Sequence, residues 1–120
     1  MKTVAIIGAS EKPERYANKA LHALKQHGYE VVLVNPYKTR VEGITCYKSV
    51  TGYDGAIDTV TLYVNPARFH HHINDVIKAS PRRVIMNPGT EDVQLEKLLV
   101  DSGIQVQKAC TLVLLSNNIF

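Results

Sequence analysis

Short apolar, β-branched runs alternate along the chain with stretches in which apolar residues recur every three or four positions. Val4–Ile7 is the first run, closed by Gly8. Ala17, Ala20, Leu21 and Leu24 then fall at i, i+3, i+4 and i+7, one face of a helix, and Gly28 supplies its stop. Val31–Val34 is a second run, ended by Asn35-Pro36, and Ile57–Val64 a third, closing on Asn65-Pro66. Phe69, Ile73, Val76 and Ile77 mark another helical face, ended by Ser80-Pro81. Val84–Met86 is a fourth run, closing on Asn87-Pro88-Gly89. Leu95, Leu98 and Leu99 are the expected buried face of a third helix, with Glu91 and Asp92 at its positive end and Gly103 after it. Ile104–Val106 begins a fifth run towards Ala109-Cys110.

Continuous apolar runs of this length mark strands buried on both faces. Their alternation with helical faces predicts an α/β fold: Rossmann-like, doubly wound, a mostly parallel five-stranded sheet with helices on both faces. Right-handed crossovers favour the strand order 3-2-1-4-5. The Gly-containing polar stretch between the second and third runs is long enough for a short helix. The apolar tail Thr111–Leu115 is open to three roles: extending the last strand, forming a small helix, or meeting a partner subunit. No repeat or linker divides the chain, so residues 1–120 are read as one domain.

The 120 residues include 45% apolar and 21% charged ones, a balance that argues against intrinsic disorder. The net charge of +3 comes from scattered cations, with Arg82-Arg83 the only tight cluster, which argues against a nucleic-acid stripe. Two distant cysteines, Cys46 and Cys110, have no zinc spacing and suit a reducing compartment. Val4–Ile7 is too short for a secretory core, and no run approaches the ~20 residues that span a bilayer. A cytoplasmic protein is expected, with no membrane or nucleic-acid partner and with homo-oligomerisation left open.

In an open parallel sheet, ligands bind beyond the carboxyl ends of the strands. That rule selects the loops at Gly8–Arg15, Asn35–Arg40, Asn65–Arg68 and Asn87–Glu91. Gly8 permits a tight turn, and the small Ala9 and Ser10 let an anion approach backbone N–H groups at the start of a helix. Lys12 and Arg15 add cations, and Arg15 has the fork geometry for a phosphate. Read alone, Gly8-Ala9-Ser10 is also compatible with a plain strand-to-helix turn, and no Walker A loop is present. After the second strand, an NAD-binding domain presents an acid to the ribose. Here the residues are Asn35-Pro36-Tyr37-Lys38, with Arg40 close behind, which suits a ligand with an extra phosphate near its ribose, as in NADP or coenzyme A.

The chain resembles the small stand-alone CoA-binding proteins related to the N-terminal domain of the succinyl-CoA synthetase α subunit. The segments that carry the resemblance are VAIIGASEKPERYANKAL, GYEVVLVNPYK, GITCYKSV, YVNPARF, INDVIKASPRRVIMNPGTED and the KAC at Cys110, in that order over nearly the whole chain. The resemblance implies a coenzyme A or acyl-CoA site at the strand ends. Gly8, Ala9, Ser10, Lys12 and Arg15 would hold phosphates, and Asn35, Pro36 and Lys38 would line the adenosine-phosphate end. Val64, Asn65 and Pro66 would wall the slot, and Asn87, Pro88 and Gly89 would face the pantetheine. Many relatives carry an aromatic and a glutamine before the last glycine, whereas this chain has Met86-Asn87-Pro88-Gly89, and Pro88 lacks a donor. The synthetase's other domains are absent, so its ligase activity is not implied.

No catalytic constellation stands out. His70-His71-His72 point about 100° apart on a helix and cannot converge on one metal. They read as a solvated helix start, with room for one to face the slot. Cys110, on the ligand edge, reads first as a small buried residue and second as a reactive thiol. The leading expectation is a non-catalytic or regulatory CoA-binding protein. The rivals are an enzyme using NADP or an acyl-CoA, and an interaction module whose slot is closed by Tyr37 or Tyr63.

Overall fold

The computed structural model describes residues 2–120. Seven strands form one sheet: β1 (Thr3–Ile7), β2 (Glu30–Val34), β3 (Arg40–Val41), β4 (Ile44–Tyr47), β5 (Thr59–Leu62), β6 (Arg83–Met86) and β7 (Gln105–Lys108). Their order across the sheet is β3-β4-β2-β1-β5-β6-β7. Only the β3–β4 hairpin is antiparallel. The helices are α1 (Tyr16–Gln26), α2 (Pro66–Phe69), α3 (Ile73–Ala79), α4 (Val93–Asp101) and α5 (Thr111–Ser116). On one face, Val4, Ile6 and Leu33 pack with Ala17, Leu21 and Leu24 of α1 and Leu115 of α5. On the other, Ala5, Ile7, Val60, Leu62 and Val84 pack with Phe69, Ile73, Val76, Leu95 and Leu99 of α2 to α4. Val4 to Ile7 are all fully buried, as a central parallel strand requires.

The expected mostly parallel α/β sheet is present, with corrections. The polar stretch after β2 folds as the β3–β4 hairpin followed by a 3-10 turn at Val50–Gly52, so the count is seven strands instead of five. β4 occupies the parallel place beside β2, at Leu33–Cys46 and Val34–Tyr47. The run over 57–64 therefore pairs with β1 instead of following β2 outward, and the expected order 3-2-1-4-5 does not hold for the five runs as counted. The tail resolves as α5. The 69–77 face is split between α2 and α3, with the His70–His72 turn between them. Leu98 is 47% exposed, because α4 covers only the edge of the sheet and turns Leu95 and Leu99 inward. Among the described residues no helix is long and apolar enough to cross a membrane.

The basic pair is not a surface patch. Arg82 pairs with Asp58 at 3.2 Å. Arg83 is buried, donates to Thr59 Oγ1 at 3.3 Å and Gln107 Oε1 at 2.9 Å, and lies 4.5 Å from the centre of the Phe120 ring.

Candidate functional site

The carboxyl ends of β1, β2 and β5 diverge around a cleft of about 660 Å³, in the range of small-molecule sites. Gly8, Ala9, Ser10, Lys12, Arg15, Asn35, Pro36, Lys38 and Val64 line it. These are nine of the expected site residues, brought together from three loops far apart in sequence. Tyr16, Ala17, Tyr37, Tyr63, Arg68, His71 and His72 complete the lining.

The first loop is held by bonds from neighbouring elements. Asn35 Nδ2 donates to the Ala9 carbonyl at 2.9 Å, and Asn18 Nδ2 donates to the Ser10 carbonyl at 3.0 Å. The Gly8 and Ala9 N–H groups both donate to the Val34 carbonyl, at 2.9 and 3.2 Å. These two N–H groups therefore stitch β1 to β2 and are not free for an anion. The open donors lie further on. Arg15 precedes α1 without a capping side-chain bond, and no acid stands in the first turn. The N–H groups of Tyr16 and Ala17 begin the helix with no intrahelical acceptor, and both residues line the cleft. A helix start of this kind favours negative charge. The Ser10 hydroxyl oxygen accepts from the Lys12 N–H at 3.1 Å, which folds the loop back towards the helix start.

Four cations face this space: Lys12, Arg15, Lys38 and Arg68. Lys38 is paired across the mouth with Glu11 at 2.8 Å, and that hydrogen bond holds the Glu11 carboxyl below its ordinary range. Among the described residues the other three enter no ion pair. Arg68 stands 5.9 Å from the centre of the Tyr37 ring, which is 81% exposed, so Tyr37 rims the cleft and does not fill it. Tyr63 packs inward. Its hydroxyl is buried without a hydrogen-bond partner, and burial pushes its phenol up to about 12.

Five expected residues do not reach the cleft wall. Asn65 turns its side chain to cap α2, accepting from the Arg68 N–H at 2.9 Å, and Pro66 takes the first helical position behind it. Asn87 is buried and saturated by Thr61, Leu62 and Thr111. Pro88 and Gly89 are exposed beyond it, and the Gly89 N–H donates to Glu91 Oε1 at 2.7 Å. Arg68 and His72 are the main additions. Arg68 closes the selected Asn65–Arg68 loop, where no role was assigned to it, and His72, in a run read as a solvated helix start with room for one histidine to face the slot, is only 6% exposed. Burial pushes the His72 imidazole below its ordinary value, against a weaker opposite pull from Asp75.

Cys110 immediately precedes α5, half-buried, and does not line the cleft. Cys46 is buried, and burial raises its thiol. In the native protein Cys46 is therefore expected to alkylate much more slowly than Cys110 at neutral pH, read by mass spectrometry over time. Equal rates would contradict this difference in burial.

The parallel sheet and the cleft at its carboxyl edge define a Rossmann-like α/β domain. The family model "CoA binding domain" matches residues 2–116, and the chain belongs to that family. The crystal structure of an uncharacterized protein superposes with a TM-score of 0.89 at 40% identity, covering 100% of this chain and 98% of the other. The uncharacterized protein YneT of Bacillus subtilis (strain 168) is 32% identical over 62 residues, 52% of this chain and 46% of YneT. An ADP-forming acetate–CoA ligase of Methanocaldococcus jannaschii is 35% identical over 63 residues, 52% of this chain and 9% of the ligase. The matched stretches thus span less than half the length of both curated relatives.

Proposed function

We propose that the cleft binds coenzyme A or an acyl-CoA by its phosphates, and that the protein acts by binding, without catalysing a reaction. One observation carries the reading: the uncapped start of α1 and the cations Lys12, Arg15, Lys38 and Arg68 face one cleft in a chain of the CoA binding domain family. Gly8, Ala9 and Ser10 shape the turn, while Tyr16 and Ala17 supply the N–H groups. Asn35, Pro36, Lys38 and Val64 complete this part of the lining. The residues after β2 offer no acid to a ribose diol, and of the two acids in the first loop Glu11 is engaged by Lys38 and Glu14 does not line the cleft. That arrangement favours a ligand with an additional phosphate over NAD.

Isothermal titration with CoA, acetyl-CoA, NADP and NAD tests the reading. CoA or acetyl-CoA should bind most tightly, and absence of CoA binding at millimolar concentration by the folded protein would reject it. Arg15→Ala should weaken CoA binding by about 1.5–3 kcal/mol, the range for a hydrogen bond to a charged group. An unchanged affinity would remove Arg15 from the phosphate site.

A further inference from the structure

His72 is the least expected part of the cleft wall. It follows the fully buried Phe69 in the turn before α3, where its own N–H donates to the Phe69 carbonyl at 2.8 Å and its carbonyl accepts from the Val76 N–H at 3.0 Å. Its backbone is thus satisfied. Its imidazole is not: the ring caps no helix N–H and takes no hydrogen bond from a described residue. The side chain is buried but for 6%, and that residual exposure lies in the cleft lining. The ring is an unused donor and acceptor at the cleft wall, available to a ligand group.

Burial opposes protonation of the ring while the cleft holds no anion, and the nearby charges pull both ways. His71 lies beside it in the turn, Arg68 comes from α2, Lys12 and Arg15 from the loop before α1, and Lys38, paired with Glu11, from the loop after β2. Tyr63, just after β5, contributes to the lining while its neutral phenol is buried. The opposing charge is Asp75 on α3, held by the Ser49 hydroxyl at 2.7 Å from the 3-10 turn. Phosphates in the cleft would place negative charge beside a ring with two free nitrogens.

We propose that His72 is a proton-linked ligand contact: a phosphate-bearing ligand enters the cleft together with one proton, which His72 takes from solvent and then donates to a ligand oxygen. No covalent bond forms or breaks. The proton passes from buffer to the free ring nitrogen, and the new N–H donates to the anion. The inference rests on the reading that the cleft holds a polyphosphate such as CoA. The sign follows from linkage. The free protein carries His72 neutral near pH 7, and the bound anion favours the charged ring, so affinity rises as pH falls through the interval between the two titrations.

The test is titration calorimetry of CoA into wild type, His72→Gln and His70→Gln at about pH 6.5, near the ordinary histidine value, in buffers of different ionisation enthalpy. The ligand's own phosphate also titrates near pH ~6 and contributes equally to all three proteins. Wild type and His70→Gln should take up more protons than His72→Gln, and their affinity should rise several-fold more between neutral and mildly acidic pH. Proton NMR of wild type gives a second reading that needs no variant: the His72 titration should move upward on adding CoA, and also on adding inorganic pyrophosphate. Equal uptake in His72→Gln, or an unmoved His72 titration with CoA bound, would overturn the inference and leave CoA binding standing. If CoA does not bind, the CoA reading falls, and pyrophosphate decides alone. An upward move supports His72 as an anion contact, and no move rejects it.

Discussion

Gly8→Ala is expected to lower stability by about 2–6 kcal/mol, combining about 1–3 for the backbone conformation with about 1–3 for overpacking. Gly8 has φ +98°, a conformation that residues with a Cβ rarely adopt. A Cβ there would stand 2.8 Å from the Tyr63 carbonyl oxygen and 2.9 Å from Val64 Cγ1. The obstacle is mainly backbone, and it has little freedom to retreat. The Tyr63 N–H donates to the Ile7 carbonyl at 2.9 Å, so Tyr63 continues the β1–β5 ladder at the point of collision. Moving it would also disturb Tyr63 and Val64, two cleft residues from β5 and the loop after it. The fitting control is Gly103→Ala. Gly103 has φ +82° with nothing within 4 Å of its would-be Cβ, so that variant carries the strain without the collision. Urea denaturation of the two variants separates the contributions: Gly8→Ala should lose clearly more than Gly103→Ala. Equal losses would mean that β5 yields easily and that the close approach does not set the shape of the cleft.

The same position shows what was legible in the sequence. The apolar run ending at Gly8 announces a buried strand and a tight turn, and both are present. The runs at Val31–Val34 and Val84–Met86 were legible for the same reason: both faces of a central strand are buried, so hydrophobicity is continuous. The β3–β4 hairpin was not. It rests on two residues of one strand and four of the other, on the sheet edge, where Arg40 and Thr45 face solvent. Such a short, half-exposed pair leaves no apolar run, and missing it displaced every later strand in the predicted order.

For the cleft, position along the fold was legible and side-chain direction was not. Three of the four loops that the strand-end rule selected contribute to the cleft, whereas the Asn87–Glu91 loop does not. The rule could not say that the Val34 carbonyl consumes the Gly8 and Ala9 N–H groups, because that depends on how closely β1 and β2 end together. It also could not separate Asn35, whose amide secures the loop beside the cleft, from Asn65 and Asn87, which carry the same Asn-Pro signature and serve helix capping and core bonding. Which of the three histidines would face the slot was left open, and the break between α2 and α3 turns the third one inward.

Asn87→Ala carries the second large effect, and it concerns stability before ligand. The side chain is 2% exposed. Its Nδ2 donates to Thr61 Oγ1 and to the Leu62 carbonyl, both at 2.7 Å, and its Oδ1 accepts from the Thr111 N–H at 2.9 Å. One amide thus joins β5, the end of β6 and the start of α5. Thr61 and Thr111 also bond to each other at 2.8 Å, so Thr61 retains one partner after truncation. The Leu62 carbonyl and the Thr111 N–H would each lose the bond that Asn87 makes. Each such buried group costs about 1–3 kcal/mol, and a small cavity adds to it. A loss of about 3–5 kcal/mol is expected, a large part of the stability of a small domain. Thermal and urea unfolding check it. Because Asn87 does not line the cleft, CoA affinity measured well below the unfolding transition should change far less than it does for Arg15→Ala. The opposite pattern, intact stability with lost binding, would return Asn87 to the pantetheine side of the site. The expected pattern makes the Asn-Pro-Gly loop the clamp that holds α5 against the sheet, with binding left to the cations around the start of α1.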